Sequence, residues 1–92
     1  MTSPEIVVMD FWAEWCGPCR MMNPVIARLE KEYEGRVKFI KIDADNNSAL
    51  TSEHGVMSLP TFIFEKNKNE VARVIGATSE AKMKEEIEKM LK

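Results

Sequence analysis

Ile6-Val7-Val8-Met9-Asp10-Phe11 is apolar on both alternating faces and is interrupted only by Asp10. That pattern predicts a central strand covered on two sides. From about Pro18 to Tyr33 the apolar positions Met22, Val25, Ile26 and Leu29 recur at helical spacing, with Glu30, Lys31, Glu32 and Glu34 on the wet face and Gly35 as the stop. Pro24 falls inside this helix. It removes one backbone bond, and a kink rather than an end is expected because the apolar period continues past it. Val37 to Asp43 reads as a second strand, parallel to the first because a helix lies between them. Asn46 or Asn47 is placed to cap a short helix, Ser48 to His54, closed by Gly55. Val56 to Thr61 leads into a third strand, Phe62-Ile63-Phe64. Lys66 to Asn69 forms a turn, and Glu70 to Ile75 a fourth strand, together a hairpin. Gly76-Ala77 follow, and Thr78 or Ser79 caps a last helix with the stripe Met83, Ile87, Met90 and Leu91. Glu85 with Lys89 and Glu88 with Lys92 are spaced as helix pairs on a solvated face.

Composition narrows the classes. Ninety-two residues, 45% hydrophobic and 30% charged, predict one domain spanning residues 1–92. A net charge of −2 leaves no electrostatic footprint for nucleic acid. No apolar run approaches the ~20 residues of a membrane helix. Met1-Thr2-Ser3-Pro4-Glu5 carries neither the basic region nor the apolar segment of a secretory leader. The cytoplasm is the expected location. Structural disulfides are rare there, so the chain's one pair of cysteines is read as chemical rather than structural.

That pair is Cys16 and Cys19, with Gly17 and Pro18 between them, where the first strand gives way to the first helix. Two intervening residues let a helical turn bring the sulfurs within bonding distance. Pro18 suits the first helical position, since its φ is already helical and its missing N–H would be unpaired there. Gly17 is expected to let the backbone turn sharply and a partner chain approach. Cys16 then sits at a helix N-terminus, where free N–H groups and the helix dipole favour a thiolate. Cysteines so placed titrate at roughly 3.5–7.5 instead of about 8.5, and the thiolate is the attacking species in thiol–disulfide exchange. Two other readings compete: a pair of buried core cysteines, or half of a zinc site. Zinc wants four N or S ligands, and His54, the single histidine, is the one further candidate. No metal is expected, and His54 is read as a helix-terminal residue. Asp10 falls on the strand face shared by Ile6, Val8 and Trp12. It is either a strand-end carboxylate turned to solvent or a buried carboxyl behind the cysteines.

The segment Asp10-Phe11-Trp12-Ala13-Glu14-Trp15-Cys16-Gly17-Pro18-Cys19 resembles the active-site segment of the thioredoxins, which are among the proteins on which that cysteine pKa range rests. The likeness runs from about Ile6 to the end of the chain. It implies an α/β fold, a minimal thioredoxin fold with a mixed four-stranded sheet in the order 2-1-3-4 and three flanking helices. Common thioredoxins carry a further strand and helix before the segment matched by Ile6, and only five residues precede it here. The second strand is then an edge, and Arg36, Lys38 and Lys41 suit an edge that must not pair with another chain.

The resemblance also implies roles. Cys16 attacks a substrate disulfide, Cys19 resolves the mixed disulfide, and Asp10 takes the proton of Cys19. Leu59-Pro60-Thr61 matches the cis-proline segment that faces the cysteines, and Trp15, Leu59, Pro60, Ile75, Gly76 and Ala77 match the surface that holds substrate. An extended substrate segment would pair with the backbone beside Pro60. Implied partners are protein disulfides and a thioredoxin-reductase-type electron donor; the site is its own redox centre and needs no cofactor, and the chain is expected to be a monomer. Three departures stand out. Several thioredoxins carry a lysine near the buried aspartate at the place matched here by Phe39, so Asp10 is expected to lack a cationic neighbour. Ser58 stands where glycine is frequent. The hairpin turn has no glycine, so asparagines would supply any left-handed residue. Two rival roles are a binding module without turnover and a metal or cluster carrier in which two chains pool four thiolates.

Overall fold

The strand that leads to the cysteines occupies the middle of the sheet. A computed structural model describes residues 4–92. Met1 to Ser3, part of the stretch read as lacking a leader pattern, lie outside the described residues. Strand β1 (Ile6–Trp12) is followed by helix α1 (Gly17–Glu32), strand β2 (Lys38–Asp43), helix α2 (Ser48–Glu53), strands β3 (Thr61–Lys66) and β4 (Asn69–Ile75), and helix α3 (Glu80–Leu91). The sheet order is β2-β1-β3-β4. β1 pairs with β2 in parallel and with β3 antiparallel, and β3 and β4 form the hairpin. The fold class, sheet order and three helices are those expected from the sequence.

Alternation along β1 divides the core into two layers. Ile6 and Val8 join Phe62 and Phe64 under Met22, Ile26 and Leu29 of α1 and Met83, Ile87 and Met90 of α3. Val7, Met9 and Phe11 join Ile42 and Ile63 on the opposite face, where Leu50, Val56 and Leu59 pack against them. Each side chain so buried contributes roughly 1.5–3 kcal/mol of transfer free energy. Tyr33, the C-cap residue of α1, is buried and donates its hydroxyl to Glu88 on α3 (2.7 Å). Burial and then that hydrogen bond push its pKa up to about 12.

Several boundaries differ from the sequence reading, each for a local reason. β1 runs on to Trp12, and β3 begins at Thr61 and extends to Lys66. The hairpin turn is therefore two residues, Asn67 (φ 52°) and Lys68 (φ 71°), instead of four. Two consecutive left-handed residues match the twist of the flanking strands, and one of them is a lysine. A short 3₁₀ turn, Ala44–Asn46, precedes α2, and the Asp43 carboxylate caps it by accepting the Asp45 N–H (3.0 Å). Asn47 does occupy the N-cap of α2, but its side chain makes no cap bond; it donates to the Asp43 carbonyl (3.0 Å). Ser79 caps α3, accepting the Lys82 N–H (3.1 Å). Glu85 lies 3.8 Å from Lys89 as expected, whereas Glu88 takes the Tyr33 hydroxyl in place of Lys92. Helix α1 continues through Pro24 to Glu32.

Candidate active site

β1 ends, the chain turns through Ala13 to Trp15, and α1 begins. Cys16 is the N-cap of α1 in an extended conformation (φ −87°, ψ 103°). Its Sγ accepts the backbone N–H of Cys19 at 3.2 Å, one of the donors that a helix start leaves unpaired. Cys16 and Cys19 form a disulfide with Cα atoms 5.3 Å apart. Pro18 lies in the first helical turn, where its missing N–H costs no bond. Gly17 has no left-handed φ, and a Cβ there would meet nothing within 4 Å. The turn therefore does not demand glycine, contrary to the sequence reading.

Exposure does not separate the two sulfurs in this oxidised form. Cys16 is 3% and Cys19 5% exposed. The asymmetry lies in hydrogen bonding: Cys16 Sγ holds the helix-terminal N–H. Ala13 packs beside both cysteines, and Trp12 and Leu59 close over them. The Leu59–Pro60 bond is cis. Pro60 is buried, and its carbonyl accepts the Gly76 N–H (2.7 Å), which binds the end of β4 to the same place. Gly76 has φ 93°, a conformation that favours glycine.

The surface around the disulfide is mixed: Glu14, Arg20 and Asn23 line a cleft with Cys19, Trp12 and Ala13, and apolar side chains stand exposed elsewhere. Trp15 (69% exposed) and Ile75 (64%) are large exposed apolar side chains, and Ala77 is exposed. A cleft of about 200 Å³ lies between Trp15, Ala44, Val56, Met57, Ser58 and Leu59. A larger one, about 440 Å³, lies at the start of β1 among Glu5, Ile6, Arg36 and Lys38, away from the cysteines. Two residues of this region were not singled out from sequence. Met57 is almost fully exposed beside Trp15. Asp45 accepts the Trp15 indole N–H (2.9 Å) and fixes the ring. That bond spans 30 residues and leaves no local signal.

Asp10 is buried on the α1 side of β1, and burial raises its carboxyl from 3.8 to about 6. The sequence reading denied it a cationic neighbour, and the structure corrects this. Lys41 stands opposite Asp10 in the β1–β2 register, and its charge opposes the shift, while Glu30 adds to it. Lys41→Gln should therefore move the Asp10 midpoint above about 6 in a ¹³C-carboxyl NMR titration of the oxidised protein. An unchanged or lower midpoint would show that the lysine charge does not reach Asp10.

The thioredoxin family's sequence model matches residues 1–89. The chain belongs to the thioredoxin family. Thioredoxin 1 of a Nostoc species is 40% identical over 85 residues, covering 92% of this chain and 79% of that protein. A chloroplastic M-type thioredoxin of Pisum sativum is 44% identical over 85 residues, covering 92% of this chain and 49% of its own. A mutant thioredoxin of Halobacterium salinarum superposes with a TM-score of 0.89 at 36% identity, over 96% of this chain and 76% of that one. A thioredoxin with a Cys16–Cys19 pair at bonding distance is a dithiol–disulfide oxidoreductase, and thioredoxins act on protein disulfides. No described helix of this thioredoxin is long and apolar enough to cross a membrane.

Proposed function

We propose that this chain is a protein-disulfide reductase in which Cys16 is the nucleophile, Cys19 the resolving thiol and Asp10 the proton acceptor. The reduced Cys16 thiolate attacks one sulfur of a substrate disulfide. One S–S bond breaks, a mixed disulfide forms, and the departing substrate sulfur takes a proton. Cys19 then loses its proton to Asp10, directly or through water, and attacks Cys16 Sγ. The second substrate thiol leaves, and the internal disulfide holds the two electrons' worth of oxidation. The observation that carries this reading is the Cys16 Sγ at the helix start, accepting the Cys19 N–H. A carboxyl poised at about 6 suits an acceptor that must release its proton again near neutral pH.

Trp15, Leu59, Pro60, Ile75, Gly76 and Ala77 form the substrate surface in this reading. Their support is the exposure of Trp15, Ile75 and Ala77, the packing of Leu59 on the cysteines, and the open space over Gly17. The oxidised protein is returned to the dithiol by a reductase-type donor, so the chain acts as an electron carrier. A cytoplasmic monomer is the proposed form, in keeping with cysteine usage limited to the one pair. Reduction of insulin by dithiothreitol tests the activity. Catalytic amounts of the protein should accelerate insulin precipitation, and a rate equal to dithiothreitol alone would overturn the proposal.

A further inference from the structure

Strand β4 contains an irregularity with a side-chain consequence. Phe64 pairs with Ala72 but Glu65 pairs with Glu70, so Val71 is an extra residue in β4. In a regular strand, residues three apart point to opposite faces. The extra residue cancels that, and Glu70 and Arg73 lie on the same face. Their side chains meet there as a fork: Arg73 Nε donates to Glu70 Oε2 and Nη2 to Oε1, each at 2.8 Å. The guanidinium, so held, reaches a third element. Its Nη2 donates to the His54 carbonyl (2.7 Å) and its Nη1 to the Gly55 carbonyl (3.4 Å).

Those carbonyls end α2, a helix of six residues. So short a helix does not sustain itself, and its last carbonyls need partners. The residues that follow, Val56 to Leu59, line the cleft beside Trp15 and lead into Pro60. Farther along, this segment is tied by Thr61 Oγ1 to the Ser58 carbonyl (2.6 Å) and by the Gly76 N–H to the Pro60 carbonyl. At its beginning Val56 packs on the core, the side-chain hydrogen bonds to the preceding carbonyls come from Arg73, and the His54 ring packs on Phe11 at 5.6 Å.

We propose that Arg73 is a positioning residue for disulfide exchange: locked by Glu70 across the bulge, it fixes the end of α2 and thereby the Val56–Leu59 segment that carries Leu59 and Pro60 into the substrate surface. This rests on the substrate surface proposed above. Arg73 touches neither sulfur, so its loss should act on docking and not on the thiolate.

The test compares wild type with Arg73→Ala, Arg73→Lys and Glu70→Gln. Arg73→Ala should raise KM for insulin about fivefold with kcat within twofold. Iodoacetamide should alkylate reduced Cys16 at an unchanged rate. The amides of His54, Gly55 and Val56, bonded to Leu50, Ser52 and Thr51, should exchange with solvent about tenfold faster while β1 and β3 amides keep their protection. Arg73→Lys keeps the charge but lacks the planar fork, and should fall between, as should Glu70→Gln. These two variants carry the comparison if Arg73→Ala does not fold. Unchanged KM and unchanged exchange at residues 54–56 would overturn the proposal. So would an equal loss in Cys16 alkylation, or a loss of protection spread over the whole sheet. A wild-type protein that does not reduce insulin would overturn the proposed function instead, and exchange at residues 54–56 would then still decide whether Arg73 holds the end of α2.

Discussion

A Cys19→Ser variant should stall with its substrate covalently attached, and a Cys16→Ser variant should lose insulin reduction altogether. The difference follows from the start of α1. Cys16 Sγ accepts the Cys19 backbone N–H, and that donor survives when the Cys19 side chain becomes a hydroxymethyl group. The nucleophile therefore keeps its stabilising contact in Cys19→Ser and still attacks. The second displacement has no thiol to perform it, so the mixed disulfide accumulates. On a non-reducing gel it should appear as an adduct of enzyme and substrate that dithiothreitol dissolves. Cys16→Ser removes the attacking thiolate, and a serine hydroxyl at neutral pH is no substitute. An adduct in Cys16→Ser, or faster alkylation of Cys19 than of Cys16 in the reduced protein at pH 7, would reverse the two roles.

The second large effect is at Asp10. Its folded pKa of about 6 lies above its unfolded value of 3.8. Below 3.8 both states are protonated and burial of the carboxyl costs little. Between the two values the folded protein holds a proton that the unfolded chain has released, so stability falls as pH rises. Above about 6 both states are ionised and the full penalty remains. The two values differ by about two units, which at 1.36 kcal/mol per unit is about 3 kcal/mol. Asp10→Asn carries no charge to desolvate, although its buried amide needs partners of its own. It should be about 1–3 kcal/mol more stable than wild type at pH 8, with the advantage gone at pH 4. Denaturant unfolding of the oxidised proteins across this range measures the slope. Stopped-flow reduction of a disulfide substrate should show a slower resolving step in the same variant. A destabilised Asn variant with undiminished turnover would make Asp10 a structural residue only.

The fold was readable because its signals are local. Period two in Ile6–Phe11, period 3.6 after Pro18 and the single helix between two strands specify a parallel pair without any long-range information. The cysteine pair was readable for the same reason: its chemistry is set by two intervening residues and a helix start. What escaped the sequence depends on which residues meet across strands. Lys41 reaches Asp10 through the β1–β2 register, and counting from Phe39 gave the wrong neighbour. Asp45 and Trp15 meet across two loops. Arg73 and Glu70 share a face only because Val71 is an extra residue, and a period-two reading of β4 places them on opposite sides. The left-handed Lys68 likewise follows from how far β3 and β4 extend, not from its own preference.

The position of β1 at the centre of the sheet also orders events during synthesis. Residues 6–19 are made before both partners of β1: β2 lies about 30 residues later in the chain, and β3 later still, where Ile6 meets Lys66. The β3–β4 hairpin closes locally within a few residues, whereas β1 must wait for contacts of high sequence separation, which form slowly. The cysteines are thus made before one of the residues that cover them, since Leu59, which packs against them, arrives only with the approach to β3. For that interval the two thiols have Trp12 and Ala13 beside them and lack the cover that Leu59 brings.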